Sequence, residues 1–150
     1  MKIRINPWLL VVLWMALIFY LSHQPATESN SLSTGITERV VAIIERVTSD
    51  IDFDVRNFNH IVRKNAHFFA YLILGVLVSN ALKNNGIKGS NRFIIALLIC
   101  VLYAISDEVH QLYVIGRAGQ VKDVIIDSAG AIVGISGYIV FGKLKTRLVR

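Results

Sequence analysis

Charged side chains are scarce in this chain: Asp, Glu, Lys and Arg make up only 17% of its 150 residues. A soluble domain carries about 25% of such residues and uses them to cover a single core. The shortage argues against a soluble enzyme, and the 54% of hydrophobic residues argues against a disordered chain. The one cysteine, Cys100, lies in an apolar stretch, so we interpret it as a small packing residue. The composition predicts a small integral membrane protein.

Four apolar stretches contain most of the hydrophobic residues. A membrane-spanning helix needs about 20 mostly apolar residues, and with their flanks the four stretches reach that length; they are residues 7–22, 66–82, 93–111 and 121–141. A signal peptide is the alternative for the first stretch, but Gln24 stands where a cleavage site needs a small residue. The sequence therefore predicts a single all-α integral membrane domain over residues 1–150, with four transmembrane helices.

Acidic residues are missing from both terminal tails and from the loop between the second and third helices, although all three contain Lys or Arg. Cytoplasmic loops carry an excess of these basic residues. Both termini are therefore predicted to be cytoplasmic, and residues 23–65 extracytoplasmic. Within that segment, apolar residues at helical spacing predict an amphipathic helix at about residues 33–48. The net charge of +6 thus indicates topology, and no nucleic-acid partner is predicted.

Ionisable side chains lie at the predicted outer ends of helices two and three. At 100° per residue, Lys64, His67 and Tyr71 share one face of helix two. Glu108 of helix three is predicted to point away from the other polar residues near it. Those residues lie within an arc of about 100° and are Tyr103, Asp107, His110 and Gln111.

Helix four combines carboxylates with small residues. Asp123 and Asp127 lie within about 80° of Gly130, Gly134 and Gly137 on an ideal helix. A small-xxx-small pair lets two helix backbones approach closely. We therefore expect the whole stripe to face the other helices rather than lipid.

These polar groups are predicted to meet in the outer third of the bilayer, because a helix rises 1.5 Å per residue. An ionisable residue within a membrane is costly and by default marks a functional site. We interpret the groups as a polar pocket that opens to the outside. The alternative is a packing network in which four basic side chains neutralise the acids; these are Arg63, Lys64, Arg117 and Lys122.

Three motifs follow one another along the chain. Residues 63–71 have the pattern R-K-x-x-H-F-x-x-Y, residues 107–111 the pattern D-E-x-x-Q, and residues 117–123 the pattern R-x(5)-D. In this order they resemble the VanZ-like family of bacterial membrane proteins, named after a teicoplanin-resistance protein. The resemblance covers nearly the whole chain and implies a role at the cell envelope, with a possible link to antibiotic resistance. Asp127 stands where the family usually has Asn, and His23 replaces a small residue.

The pocket residues are compatible with two kinds of function, between which the sequence does not choose. An enzyme acting on a lipid-linked or cell-wall-related substrate would use acid–base groups, and the candidate catalytic residues are His67, Asp107, Glu108 and Asp123. A non-catalytic protein would bind a membrane lipid or cell-envelope precursor. The candidate binding residues are Arg63, Lys64, Tyr71, His110, Gln111, Arg117 and Asp127.

A metal site is a further alternative. Imidazole and carboxylate donors suit divalent cations, and the residues that could supply them are His67, Glu108, His110 and Asp123. Because the sequence has no close-spaced pair such as His-x-x-x-His, no metal ligands are assigned. No cofactor or oligomeric state is predicted.

Overall fold

The computed structural model describes residues 6–25, 27, 34–35 and 55–148, with side chains for all of these except 55–60 and 146–148. The described residues form helices and connecting turns. In chain order the helices are α1 (Pro7–Ser22), α2 (Val55–Asn84), α3 (Gly89–Gln111) and α4 (Val121–Leu148). The prediction of an all-helical chain is confirmed. Apart from Thr34 and Gly35, the predicted amphipathic helix lies outside the described residues.

Three of the helices are long and apolar enough to cross a membrane; the stretches are Ile61–Asn84, Gly89–Gln111 and Val121–Lys145. Helix α1 is apolar but has only 16 residues. At 1.5 Å per residue it extends about 24 Å, which is less than the roughly 30 Å of a bilayer core. A helix at this position is confirmed, whereas a complete crossing by α1 stays a prediction.

The long helices extend beyond the apolar stretches that predict them. Helix α2 begins at Val55 rather than at residue 66, and α4 continues to Leu148 rather than to residue 141. Helical turns made of polar residues extend a helix at either end without adding apolar residues. A search for apolar stretches therefore does not find these turns. Between α2 and α3 the chain turns sharply at Gly86 and Gly89, whose φ angles of 80° and 64° favour glycine.

Glycines of α4 bring it directly against α2. A Cβ atom added to Gly130 or Gly134 would overlap the carbonyl oxygen of Phe68 or Leu72, respectively. The carboxylates of this stripe are buried as well, which confirms that it faces the bundle. Gly137 corrects the prediction at one position: it is exposed and has no described atom within 4 Å of an added Cβ. At this level α2 contacts α4 through the neighbouring Tyr138, whose hydroxyl donates to Asn80 Oδ1 at 2.8 Å.

Helix α1 joins the bundle through hydrogen bonds to both neighbouring helices. The Trp14 indole N–H donates to the Ala70 carbonyl of α2 at 2.9 Å. The Tyr103 hydroxyl of α3 donates to the Met15 carbonyl at 2.6 Å. Cys100 is fully buried in the apolar core, as its interpretation as a packing residue requires. These contacts fix the middle of α1 against α2 and α3.

Candidate functional site

A partly open polar pocket of about 160 Å³ lies between the start of α2, the end of α3 and the segment that leads into α4. Five of the residues predicted for the site line it: Arg63, His67, Gln111, Arg117 and Asp123. The rest of its lining comes from the turn after α3. Those residues are Gly116, Ala118 and Gln120.

Two arginines give the pocket positive charge. Arg117 is held by the end of α1, because its Nε–H donates to the Gln24 carbonyl at 3.0 Å and its Nη2 to the Leu21 carbonyl at 3.4 Å. A guanidinium has five N–H donors, so others remain for a ligand. Burial lowers the pKa of Arg117 below its ordinary value, and the positive charge of Arg63 lowers that pKa further. An anion between the two guanidinium groups would relieve this repulsion.

Asp107 lies inside the bundle, 1% exposed, and does not line the pocket. Its Oδ2 accepts a hydrogen bond from the Ser22 hydroxyl at 2.8 Å and a long one from Gln111 Nε2 at 3.4 Å. Ser22 was missed as a site residue, although it opens the turn after the first helix. Its hydroxyl ties α1 to the predicted catalytic residue of α3.

Glu108 also faces inward, so the prediction that it points away from its neighbours is wrong. Its Oε2 accepts the Gln120 backbone N–H at 2.7 Å, and its Oε1 accepts from Gln111 Nε2 at 3.4 Å. On a helix, Gln111 lies about 40° from Asp107 and about 60° from Glu108, so one amide reaches both carboxylates. The chain reaches Gln120 by passing close to α3 at Gly119, where an added Cβ would lie 2.6 Å from the Glu108 carbonyl oxygen.

His67 of α2 pairs with Asp127 of α4. The distance from His67 Nδ1 to Asp127 Oδ1 is 3.4 Å, and the two side chains are 17% and 0% exposed. Neither carboxylate oxygen of Asp127 has a hydrogen-bond donor among the described residues. One oxygen of Asp107 and one of Asp123 are also buried there without a donor. The polar pocket therefore borders a group of incompletely satisfied carboxylates.

The predicted network of basic and acidic side chains does not occur as direct ion pairs. Among the side chains that the structure describes, the one contact of a basic with an acidic group within 4.0 Å is His67–Asp127, which is an ion pair only when the imidazole is protonated. Arg117 donates to backbone carbonyls instead. Among the described side chains, the basic residues of this region thus form no direct ion pair with the carboxylates.

Other predicted site residues lie apart from the pocket. His110 Nε2 is 3.0 Å from His23 Nδ1 and the two rings stack; Phe19 stacks on His23 and makes a tilted contact with His110. Tyr71 is fully buried and lies beside Tyr103, with a ring-centroid distance of 6.2 Å. Lys64 is half-buried and does not line the pocket.

Three residues from three helices could hold a metal ion together. His67, Glu108 and Asp127 each offer one ligand atom, and these atoms lie within 4.8 Å of one another. Two of them, His67 and Glu108, belong to the alternative metal set in the sequence, whereas Asp127 does not. His110 contacts His23 instead.

One comparison with known proteins identifies the chain's family. The family model described as VanZ/LLP1 matches residues 7–142, which include all the residues that line the pocket. No curated protein and no solved structure matches the chain. Because the family match covers nearly the whole chain and three helices can cross a membrane, the chain belongs to the VanZ/LLP1 family of membrane proteins.

Proposed function

We propose that this protein binds the anionic headgroup of a membrane lipid or lipid-linked cell-envelope precursor in the pocket between Arg63 and Arg117. The observation that carries the proposal is the placement of these two arginines on one pocket, without a carboxylate partner among the described side chains. Guanidinium groups bind phosphate and carboxylate strongly, often through two parallel hydrogen bonds. A headgroup would place a negative charge between the two guanidinium groups.

The size of the pocket supports a headgroup rather than a whole drug-like molecule. Pockets for such molecules have volumes of about 300–1,000 Å³, whereas this pocket has about 160 Å³. The lipid tails would remain among the exposed apolar side chains of the bundle, which include Leu102, Leu112 and Ile125. The ligand would therefore be bound at its polar end alone.

The pocket is proposed to face the outside of a bacterial cell, with both termini in the cytoplasm. The basic tails and the basic loop after α2 support this orientation. Binding of a precursor headgroup there would alter access to cell-wall material, and a link to teicoplanin-type antibiotics would follow from that change. The antibiotic itself would not enter the pocket.

Phosphatidylglycerol in phosphatidylcholine nanodiscs tests the proposal. Native mass spectrometry would count the phosphatidylglycerol molecules retained by the full chain as their mole fraction rises. Each of Arg63→Gln and Arg117→Gln is expected to lose a charge-assisted interaction of about 1.5–3 kcal/mol and so to weaken retention about tenfold or more. Lys122→Gln is the control, since it removes a neighbouring exposed charge that does not line the pocket. Equal retention by all four proteins would refute the proposal.

A second candidate function is acid–base catalysis on the bound headgroup. It is favoured by His67, which lines the pocket and has the buried carboxylate of Asp127 at 3.4 Å. A carboxylate in this position fixes the orientation of an imidazole and stabilises its protonated form. Asp107 is less suited to be the base, because it is buried away from the pocket. Incubation with envelope lipids, followed by mass spectrometry of their headgroups, tests this function: identical products from the native chain and His67→Ala would exclude it.

A further inference from the structure

The strongest feature that lipid binding does not explain is the convergence of one imidazole and two carboxylates inside the bundle. His67 comes from α2, Glu108 from α3 and Asp127 from α4, and their ligand atoms lie within 4.8 Å of one another. We propose that these three residues bind a divalent transition-metal cation such as Zn²⁺ or Mn²⁺.

A buried carboxylate without a donor is the second, independent observation. Asp127 is fully buried, and neither of its oxygens accepts a hydrogen bond from the described residues. Burial of an unsatisfied charged group carries a large desolvation cost. Because Asp127 Oδ1 lies 3.4 Å from His67 Nδ1, the carboxylate is directed into the cluster. A cation between them would satisfy both groups.

The charges of the cluster support a dication. Arg117 donates hydrogen bonds to two backbone carbonyls at the end of α1. No Lys or Arg among the described side chains forms a salt bridge with Glu108 or Asp127. A neutral imidazole and two carboxylates carry two negative charges, which a divalent cation neutralises.

The donor types favour a transition metal over Mg²⁺ or Ca²⁺. Magnesium and calcium prefer oxygen ligands alone, whereas Zn²⁺ and Mn²⁺ accept mixed imidazole and carboxylate sets. Metal–ligand bonds of about 2.1 Å separate tetrahedral ligand atoms by about 3.4 Å, which matches the His67–Asp127 distance of 3.4 Å. Glu108, on its flexible side chain, is the ligand that would move inward.

Glu108 already has hydrogen-bond partners of the kind that orient a metal ligand. Its oxygens accept hydrogen bonds from the Gln120 backbone N–H and the Gln111 amide, and such outer contacts orient ligands and raise metal affinity. Three protein ligands leave a coordination position for another group. Since His67 also lines the pocket, the cation would lie within reach of an anionic headgroup. Metal binding itself does not depend on the proposed lipid-binding function.

The test measures the metal bound to the full chain. Purified protein in detergent would be stripped with EDTA and titrated with ZnCl₂ and, in a separate arm, with MnCl₂. Calorimetry would give the affinity, and elemental analysis after gel filtration would give the stoichiometry. One equivalent per chain is expected, with at least about tenfold weaker binding in Asp127→Asn and in His67→Gln. His23→Gln, which removes a histidine outside the cluster, is expected to bind as the native chain does.

A change in folding is separated from a loss of ligands by thermal unfolding. Added metal is expected to raise the melting temperature of the native chain and of His23→Gln, but not that of either cluster variant. Native-like binding by Asp127→Asn or by His67→Gln, or loss of binding in His23→Gln, would overturn the proposal. If either cluster variant does not accumulate, Glu108→Gln is measured in its place. Weaker metal binding by Glu108→Gln then supports the proposal, and native-like binding overturns it. Unchanged phosphatidylglycerol retention by the stripped protein would refute a bridging role for the cation, but not the arginine pocket.

Discussion

Close contact between α2 and α4 is what brings His67 to Asp127, so a methyl group at that contact is expected to disrupt both packing and site. An added Cβ at Gly134 would overlap the Leu72 carbonyl oxygen, which belongs to the backbone and cannot rotate away. Overpacking of this kind costs about 1–3 kcal/mol. We therefore predict that the free energy of unfolding of Gly134→Ala is lower by that amount than that of a variant with the same methyl group in open space.

Gly137→Ala is the matched control, because it places the same methyl group on the same helix where no described atom lies within 4 Å. Alanine gains about 1 kcal/mol of helix propensity at either position, so this gain cancels and the two variants are expected to differ by the overpacking cost of about 1–3 kcal/mol. The assay follows the loss of helical circular dichroism of purified protein in mixed detergent micelles. Equal stability of Gly134→Ala and Gly137→Ala would show that Gly134 does not pack closely against α2.

Three further predictions concern the end of α1 and the orientation of the chain. Ser22→Ala removes the 2.8 Å hydrogen bond to buried Asp107 and is expected to cost about 1–3 kcal/mol of stability. Chemical denaturation would measure this loss, and an unchanged midpoint would contradict the contact. Tyr103→Phe removes the 2.6 Å bond to the Met15 carbonyl and is expected to cost about 0.5–1.5 kcal/mol in the same assay. Lys88→Cys is expected to react with an impermeant thiol reagent from the cytoplasmic side only, whereas buried Cys100 stays unlabelled; labelling of residue 88 from outside would reverse the proposed orientation.

The helices could be predicted from the sequence because their signal is local. Apolar length gave the position of α1 at Pro7–Ser22 and the core of each longer helix. It did not give the start of α2 at Val55, since the polar residues before Ile61 do not differ in hydropathy from a loop. Likewise, glycine spacing predicted the packed face of α4 at Gly130 and Gly134, but it did not show that α2 contacts Tyr138 rather than Gly137 farther along the helix.

The site was only partly predictable, because its details depend on how helices meet. Periodicity placed His67 and Asp127 on inward faces, yet their pairing requires the crossing of α2 and α4. A single-helix projection sent Glu108 to the wrong side, because it took no account of the turn after α3, whose Gln120 N–H approaches that carboxylate. A contact made by a backbone N–H leaves no residue-type signal in a sequence.

The arginine pocket is tested most directly by a crystal structure grown from a lipidic mesophase that contains phosphatidylglycerol. Density for a phosphate group is expected between Arg63 and Arg117, bordered by His67. A pocket that contains only water at saturating phosphatidylglycerol, with the phosphate groups elsewhere, would contradict this expectation.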